Sequence, residues 1–296
     1  MNYQLETKNC LDGMAELQAK SVDVVITSPP SNIGFKYRTY VDSLPDDEYL
    51  RWSRRWMEQV FRVLKPKGSF FLVFGGSHRK PLLPLQVPIV ATECGFRLQN
   101  RFNWIKAIAV PTEWGALTVG QLNRTPSRRF VAECHEFVFH LTPNGDTPLD
   151  KESLGVSCGD PGDVRRPGHG SGLSCRGNNW CIPYPTLGGQ GAHPNPASFP
   201  KQLAMNCILI HGWRPDLFVL DPFLGTGASA FAALECSVEN FVGFDIDEEY
   251  VRLARRALDE TTPPMFTPED FRRPQAAAGT PADCEVPSES SLADSE

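Results

Sequence analysis

The sequence predicts an α/β fold with a doubly wound, mostly parallel sheet. Short apolar segments at 22–26, 69–74, 218–220 and 241–244 alternate with longer segments of helical periodicity. Two of these predicted strands end directly in loops rich in Pro or Gly, and parallel sheets bind ligands where their strands end. The 296 residues are enough for one large domain that carries an insertion.

Helices are predicted where helical periodicity lies between start and stop signals. For the first long helix, Pro45 and three following acidic residues suit the N-terminus, and Pro66 with Gly68 ends the segment. Apolar side chains at helical spacing give this helix one buried stripe. The predicted helices are 46–64, 82–94, 200–212, 228–235 and 248–258, and two further predicted strands are 96–106 and 137–141.

The formal net charge of −6 is concentrated at the C-terminus. Residues 259–296 contain nine acidic and two basic side chains, which leaves 26 acids and 27 bases in the rest of the chain. This segment is rich in Pro, Ala and Ser and has little apolar surface to bury, so we expect a disordered acidic tail. The nearly neutral domain that precedes it, residues 1–258, remains compatible with a nucleic-acid partner.

Cysteine usage and the lack of long apolar segments favour an intracellular protein. No apolar stretch is long enough to span a bilayer, and residues 1–10 lack a signal-peptide core. The nine cysteines are scattered and odd in number, which fits reduced thiols better than a disulfide framework. Cys158, His169, Cys175 and Cys181 do not have the spacing of a common zinc site, so no metal is predicted.

A loop typical of nucleoside-containing cofactors follows the strand 218–220 and has the sequence DPFLGTG. Gly225 and Gly227 let the backbone turn tightly and approach a ligand, and the amides at the start of the next helix favour a carboxylate. Asp221 can accept hydrogen bonds from an ammonium group, and Asp245, after the strand 241–244, from ribose hydroxyls. The loop lacks the full G-x-G-x-x-G and P-loop patterns, which argues against a dinucleotide or a triphosphate.

A second loop, Thr-Ser-Pro-Pro at 27–30, follows the strand 22–26. The amino group of a nucleobase is a poor nucleophile because its lone pair is delocalised into the ring. The Ser28 hydroxyl and the backbone carbonyl of Ser28 or Pro29 can hold the two amino hydrogens out of the ring plane. Pro29 and Pro30 fix φ and lack N–H groups, so the loop is stiff and presents acceptors. The two loops together predict methyl transfer to a nucleobase amine, catalysed mainly by positioning.

These motifs together resemble the exocyclic-amino DNA methyltransferases, in particular the N4-cytosine enzymes of the beta class. In that family a Ser-Pro-Pro-Tyr loop precedes the Asp-Pro-Phe-x-Gly-x-Gly loop, and this chain shares that circularly permuted order. The similarity extends over about residues 3–258. Further similar segments are NIG at 32–34, RVLKPKGS at 62–69, NWIK at 103–106, GNNW at 177–180, FPKQL at 199–203 and GFDIDEEY at 243–250.

The resemblance implies a Rossmann-like S-adenosylmethionine-dependent methyltransferase fold over residues 1–258. Residues 107–190, rich in Gly, Pro, Arg and Trp, are then an inserted target-recognition region. S-adenosylmethionine is the implied donor, a flipped-out base is the implied acceptor, and Ser28, Pro29 and Pro30 are the implied catalytic residues. The implied cofactor-binding residues are Asp221, Phe223, Gly225, Thr226, Gly227, Asp245 and Ile246.

The catalytic loop departs from the family pattern at Ser31, where the family has an aromatic ring that stacks on the flipped base. Such stacking contributes about 1–3 kcal/mol per base, so capture of the base should be weaker unless Phe35 or Tyr37 replaces the ring. Ser31, Phe35 and Tyr37 are therefore the predicted border of the base pocket. Ser28, where many adenine enzymes have Asp or Asn, favours cytosine. Cys10, expected at the end of the first strand, occupies the place of a family acid that contacts adenine.

Basic residues interleaved with tryptophans predict a DNA-binding surface within and beside the inserted region. Cationic side chains contact phosphates, and these contacts are needed to stabilise the complex because extruding a base costs a few kcal/mol. The predicted DNA-binding residues are Arg124, Arg128, Arg129, Arg165 and Arg166, and the interleaved tryptophans are Trp104, Trp114 and Trp180.

The sequence thus predicts site-specific methylation of cytosine N4 in DNA by an intracellular protein located with DNA. The same geometry could act on adenine N6 or on RNA, and a DNA-binding protein with impaired catalysis is a further alternative. A cognate restriction endonuclease is a candidate partner. The recognition sequence and the oligomeric state do not follow from these motifs.

Overall fold

The protein folds around one large sheet with helices on both faces. A computed structural model describes residues 1–112, 115–119, 128–131, 133–157, 173–183 and 198–261. The strands are β1 (Asn2–Thr7), β2 (Val22–Thr27), β3 (Leu64–Phe74), β4 (Arg97–Thr112), β5 (Gly115–Val119), β6 (His135–Thr142), β7 (Val156–Ser157), β8 (Leu173–Ser174), β9 (Asn179–Pro183), β10 (Phe218–Asp221) and β11 (Asn240–Asp245). The helices are α1 (Cys10–Glu16), α2 (Asp46–Val63), α3 (Leu83–Glu93), α4 (Lys201–Gly212), α5 (Ala228–Glu235) and α6 (Glu248–Asp259).

Nine of the strands in the described ranges form the main sheet, in the order β1-β11-β10-β2-β3-β6-β4-β5, with β9 also paired to β4. The strands from β1 to β3 in this order are all parallel, whereas β6 runs antiparallel to both β3 and β4. The short strands β7 and β8 pair with each other outside this sheet. The prediction of a mostly parallel, doubly wound α/β sheet is confirmed.

Two hydrophobic cores lie on opposite faces of the sheet because side chains alternate along each strand. Val24 and Ile26 of β2 point into the core that contains α4, α5 and α6. Val25 of the same strand points into the core with α1, α2 and α3, and so does Val22, because the strand has a register irregularity between Val22 and Val24. β2 is therefore buried on both faces, as expected for a central parallel strand, and its carboxyl end lies in the middle of the sheet edge.

The predicted helices agree with the observed ones to within one residue, whereas β3 begins five residues earlier and β4 ends six residues later than predicted, and β5 and β9 were not predicted. The N-terminal region also differs. The helix α1 was not predicted, because its seven residues are too few for a clear apolar repeat. Cys10 is the first residue of this helix, so its predicted place at the end of the first strand is wrong: β1 ends at Thr7, and Asn9 caps α1 by accepting a hydrogen bond from the Leu11 amide. In the described part of the chain, no helix is both long and apolar enough to cross a membrane.

Candidate active site

A cleft runs along the carboxyl ends of four neighbouring strands, where parallel sheets bind ligands. Both loops singled out in the sequence border it, because β2 and β10 are adjacent and parallel. The cleft is lined by residues 8–10 after β1, 28 and 30 after β2, 222–225 after β10 and 245–247 at the end of β11. The two predicted loops therefore share one site.

The loop after β2, residues 28–30, is called the acceptor loop because it is predicted to hold the amine that accepts the methyl group. Its first residue, Ser28, is half-buried and lines the cleft. Pro29 is buried, and Pro30 again borders the cleft. The Tyr49 hydroxyl, from the first turn of α2, donates a hydrogen bond of 2.6 Å to the Pro30 carbonyl. Since that carbonyl already has a donor, the Ser28 and Pro29 carbonyls are the better candidates to hold a substrate amine.

The chain that follows Pro30 is held by one buried carboxylate. Asp42 is 2% exposed and accepts hydrogen bonds from the backbone amides of Asn32, Ile33 and Phe35, at 2.7, 3.1 and 3.0 Å. Asn32 has a positive φ of 57°, and its side-chain amide donates to the Leu44 carbonyl. These local bonds fix the acceptor loop before any substrate arrives, which is the preorganisation that positional catalysis needs.

Aromatic side chains form one wall of the cleft. Tyr37, Tyr40, Trp52 and Phe223 all line it. The Tyr37, Tyr40 and Trp52 ring centroids follow one another at 6.1 and 6.0 Å, and Trp52 lies 5.5 Å from Phe223. The Tyr40 hydroxyl is buried and has no hydrogen-bond partner among the described residues. A polar atom in that state is satisfied when a ligand supplies the partner.

The predicted base-pocket residues occupy different positions relative to this wall. Tyr37 lines the cleft, and the Tyr37 and Phe35 ring centroids are 4.7 Å apart. Phe35 and Ser31 do not line the cleft. Burial, together with the nearby carboxylates of Asp42 and Asp245, raises the pKa of Tyr37 well above its usual value. Tyr37 thus lies near Asp245, at the end of β11.

The loop after β10, residues 222–227, is called the donor loop because it is predicted to bind the methyl donor. Two glycines and one carboxylate determine its conformation. Gly225 and Gly227 have φ values of 53° and 91°, in the left-handed region where a side chain costs energy. A Cβ atom at Gly227 would lie 2.9 Å from the Ala254 Cβ atom. Asp245 accepts hydrogen bonds from the amides of Gly225 and Asp247, at 2.8 and 2.9 Å, and lines the cleft. Its carboxylate therefore fixes the loop and still borders the cleft.

Asp221 has a different position from the one expected for a group that binds an ammonium. It is 1% exposed and does not line the cleft. Its carboxylate accepts hydrogen bonds from the hydroxyls of Thr27 and Ser229 and from the Phe223 amide, with 2.6 Å for Thr27 and 3.0 Å for Phe223. Burial raises the pKa of Asp221 to about 6, although these donors oppose the shift. Asp221 therefore binds parts of the protein to one another.

Among the other predicted cofactor residues, Phe223, Gly225, Asp245 and Ile246 line the cleft. Thr226 and Gly227 do not. The sequence prediction missed Tyr40, Trp52 and Tyr250, which also line it. A weak feature of the sequence could have identified Trp52: it lies one helical turn after Tyr49, on the face of α2 that also carries Trp56.

Lys8, Asn9 and Cys10 line the end of the cleft near Asp245. The Asn9 side chain is occupied in capping α1, and burial raises the pKa of Cys10 to about 12. The neutral Cys10 thiol and the engaged Asn9 amide provide no acidic group at the place where the family that the sequence resembles has an acid. Polar contacts with a ligand at this end therefore depend on Asp245 and Asp247 rather than on Asn9 or Cys10.

The predicted DNA-binding surface is only partly within the described residues. Arg128 and Arg129 are exposed, and the Arg129 guanidinium lies 5.3 Å from the centre of the Phe130 ring. Arg124, Arg165, Arg166 and Trp114, like the tail from residue 262 onward, lie outside them. The predicted interleaving of cations with exposed tryptophans is wrong for two of the three rings, which are core residues. Trp104 is 1% exposed and donates to the Ile182 carbonyl, and Trp180 is 0% exposed and stacks on Phe102.

Comparison with known proteins identifies relatives along most of the chain. The model of a family described as DNA methylase matches residues 22–256. The type II methyltransferase M.HpaI of Haemophilus parainfluenzae is 26% identical over 264 residues, which cover 88% of this chain and 75% of that protein. The DNA adenine methyltransferase YhdJ of Escherichia coli (strain K12) is 27% identical over 259 residues, which cover 84% of this chain and 81% of that protein.

Solved structures of similar proteins share the fold. The PvuII DNA methyltransferase, described as cytosine-N4-specific, superimposes with a TM-score of 0.63 at 23% identity and covers 86% of both chains. A putative DNA modification methylase of Thermus thermophilus, complexed with S-adenosyl-L-methionine, gives a TM-score of 0.56 at 21% identity over 87% of this chain and 93% of that one. These similarities confirm the predicted Rossmann-like methyltransferase architecture.

Proposed function

This chain belongs to the DNA methylase family, and we propose that it transfers a methyl group from S-adenosylmethionine to the N4 amino group of cytosine in DNA. The observation that carries the proposal is that Ser28 and the glycine loop after β10 border one cleft. An amine held at Ser28 would lie beside the cofactor loop. The family match supports an enzyme that acts on exocyclic amino groups of DNA.

The residues of the cleft fit the proposed cofactor. S-adenosylmethionine, when bound, supplies a sulfonium methyl group that an amine can attack. Asp245 and Asp247 line the cleft near residues 8–10 and could accept hydrogen bonds from ribose hydroxyls. The amides at the start of α5 favour the carboxylate of the methionine part. The unpartnered Tyr40 hydroxyl offers a further polar contact, and the aromatic wall suits a cationic sulfur.

The acceptor loop would act by holding the amine in the reactive orientation. The Ser28 hydroxyl and the Pro29 carbonyl accept the two amino hydrogens, and Pro30, anchored by Tyr49, keeps the loop stiff. The acidic side chains that line the described cleft are Asp245 and Asp247, on the cofactor side. Orientation of the lone pair is therefore the main contribution of the acceptor loop. As the N–C bond forms, the methyl–sulfur bond of the donor would break to leave a neutral thioether, and the nitrogen would then lose its proton to solvent water.

Cytosine is proposed over adenine because residue 28 is Ser, and the fold neighbour described as cytosine-N4-specific is consistent with this choice. Adenine N6 is the second candidate, and the similarity to the DNA adenine methyltransferase YhdJ supports it. The type II methyltransferases among the relatives support a place in a restriction–modification system, with a cognate endonuclease as partner. Arg128 and Arg129 are proposed to contact DNA phosphates together with Arg124, Arg165 and Arg166.

Radiolabelled methyl transfer to unmethylated DNA, followed by mass spectrometry of the nucleosides, tests the proposal. Labelled N4-methylcytosine is expected. Labelled N6-methyladenine would establish the second candidate in its place. Binding of DNA and cofactor without any label would show that the protein is a DNA-binding relative with impaired catalysis.

Ser28→Ala tests the role of the hydroxyl. We expect kcat to fall about 100-fold, the size typical for a group that orients or stabilises the reacting atoms, with no change in cofactor affinity. Ser43→Ala is the matched control, because Ser43 is exposed and lies in the same connection between β2 and α2. Equal kcat values for the two variants would contradict the assignment of Ser28.

Ser31→Tyr tests whether a stacking ring is missing. If the new ring stacks on the flipped base, the affinity for DNA should rise about tenfold, which corresponds to the lower part of the range for base–aromatic stacking. Fluorescence of 2-aminopurine at the target position would report the extruded base. An unchanged affinity and signal would show that the aromatic wall already supplies the stacking surface.

A further inference from the structure

We propose that Thr27 and Asp221 form a positioning link that fixes the acceptor loop relative to the donor loop. This inference rests on the proposed methyl transfer and adds two residues that do not line the cleft. They act on the reaction through Ser28 and through the loop 222–227. Neither is proposed to touch a substrate.

The backbone pairing between β2 and β10 stops before the two loops begin. Its partners are Val24 with Val219 and Val25 with Leu220. Thr27 lies two residues beyond the last pair and directly before Ser28. Its hydroxyl donates a hydrogen bond of 2.6 Å to Oδ1 of Asp221, across 194 positions of the chain. A side-chain bond therefore continues the connection where the backbone ladder ends.

Asp221 connects this bond to the whole donor loop. Its Oδ1 atom also accepts from the Phe223 amide inside the loop, and its Oδ2 atom accepts from the Ser229 hydroxyl in the first turn of α5. Thr27, Asp221 and Ser229 are all at most 1% exposed. Charge-assisted bonds to a buried carboxylate are strong and well oriented, because water does not compete for them. One carboxylate thus joins the last residue of β2 to the turn and the helix that would hold the cofactor.

Methyl transfer needs this kind of constraint because its two substrates bind to different segments of the chain. The reacting atoms must lie about 3–3.5 Å apart and in line, and an error of about 1 Å can lower the rate 100-fold. Thr is β-branched and has few χ1 rotamers, so its hydroxyl keeps its direction at little entropic cost. The link would therefore affect the rate of transfer more than the affinity for either substrate.

Thr27→Val tests the link, because Val keeps the shape of Thr and removes only the hydroxyl. We expect kcat for methyl transfer to fall about 10- to 100-fold, while the dissociation constant for sinefungin, an analogue of the donor, changes less than about threefold. Thr27→Ser, which restores a hydroxyl, should recover kcat to within about threefold of the wild type. The acid limb of the kcat–pH profile should move to higher pH in Thr27→Val, because Asp221 loses a donor that lowers its pKa.

Thr142→Val is the matched control. Thr142 is a fully buried strand residue whose hydroxyl donates to Gln99, in the antiparallel part of the sheet. Thr142→Val should lower the free energy of unfolding about as much as Thr27→Val does. Its kcat should stay within about twofold of the wild-type value, since Thr142 does not line the cleft. A similar loss of kcat in both variants would mean that Thr27 has only a structural role and would overturn the inference.

Hydrogen–deuterium exchange gives a readout that does not depend on activity. In the wild type, sinefungin should slow exchange both in the donor loop and at the amides of residues 31–35, which do not line the cleft. Thr27→Val should retain the protection of the donor loop and lose that of residues 31–35. Full protection of both regions in Thr27→Val would refute the link even if no DNA substrate were methylated. A wild type that transfers no methyl group refutes the proposed function alone.

Discussion

Two buried polar clusters connect strands of the main sheet to a helix packed on it, and only one of them lies directly behind the loops that border the cleft. The cleft cluster consists of Thr27, Asp221 and Ser229, at the carboxyl ends of β2 and β10. The sheet cluster consists of Ser69, His140 and His211, between the parallel and antiparallel parts of the sheet. In the sheet cluster the Ser69 hydroxyl lies 2.9 Å from Nε2 of His140 and 2.9 Å from Nδ1 of His211.

The sheet cluster has the residue types of a nucleophilic site without the access that such a site needs. Ser69 and His140 are fully buried, and Nδ1 of His140 is 3.0 Å from the Asn100 side-chain nitrogen. Burial lowers the pKa of His140 to about 3 and that of His211 to about 4, so both rings are neutral at pH 7. Residue types therefore do not define a site by themselves. The difference between the clusters is their position relative to the carboxyl ends of the parallel strands.

The largest expected contrast comes from removing the serine hydroxyl of each cluster. Ser69→Ala should lower the free energy of unfolding by about 2–3 kcal/mol, because one nitrogen of each of the two imidazoles loses its hydroxyl partner, and should keep kcat within about twofold. Ser229→Ala should cost about 1–2 kcal/mol and lower kcat at least tenfold, because the first turn of α5 loses its bond to Asp221. Urea unfolding and the methyl-transfer assay measure both quantities. A large loss of activity in Ser69→Ala would remove the distinction between the clusters.

As the pH falls, the contributions of the two clusters to the free energy of unfolding should change in opposite directions. The histidine pKa values are lower in the folded state than in the unfolded chain, so their contribution to stability is full above about pH 6.5 and is lost as the pH falls towards 4. The pKa of Asp221 is raised to about 6, so its contribution is full below about pH 3.8 and is lost as the pH rises through 6. Around pH 5 these three groups hold about two protons in the unfolded chain and about one in the folded protein.

As the pH falls through about 5, the net result should be a loss of about 1 kcal/mol of stability per pH unit. His211→Gln removes one of the two histidines and should make the stability nearly independent of pH there. Urea midpoints measured at several pH values would give both slopes. A wild-type protein that becomes more stable on acidification would contradict the pKa direction given for the histidines.

A third carboxylate, Asp42, extends the comparison to the acceptor loop. Asp42→Ala should lower stability by about 3 kcal/mol, because one buried and two partly buried backbone amides lose a charged acceptor, and should lower kcat by loosening the segment after Pro30. Asp150 is the control, since it accepts from two backbone amides but is exposed. Asp150→Ala should change stability by less than about 0.5 kcal/mol and leave kcat unchanged. Equal effects would show that burial does not matter for these bonds.

The smallest effect is expected for the ion pair that connects the segment after Pro30 to the start of α6. The Arg38 guanidinium lies 3.6 Å from Oδ2 of Asp247, and the Arg38 side chain is 63% exposed. Arg38→Ala should therefore change stability by less than about 1 kcal/mol and raise the dissociation constant for the cofactor at most about threefold. Titration by intrinsic tryptophan fluorescence, with Trp52 in the cleft wall, provides the measurement.

Local patterns in the sequence predicted most of the fold. The strands β2 and β11 and the helices α5 and α6 follow from short apolar segments, glycine turns and helical periodicity, which are properties of neighbouring residues. The order of the two loops also follows from the chain alone, and so does their place at strand ends. The residues Ser28, Gly225 and Asp245 were predicted for the site because each belongs to such a local motif. Their roles in the reaction stay predictions until the variants above are measured.

Only the tertiary structure decided which of these residues bond to one another. The role of Asp221 depends on Thr27, 194 positions away, and the cleft wall depends on Trp52, whose ring meets Phe223 only after α2 packs on the sheet. The sequence also could not distinguish the buried Trp104 from an exposed one. The physical reason is that periodicity and propensity report a residue's neighbours along the chain, whereas burial and hydrogen-bond partners depend on segments brought together when the sheet closes.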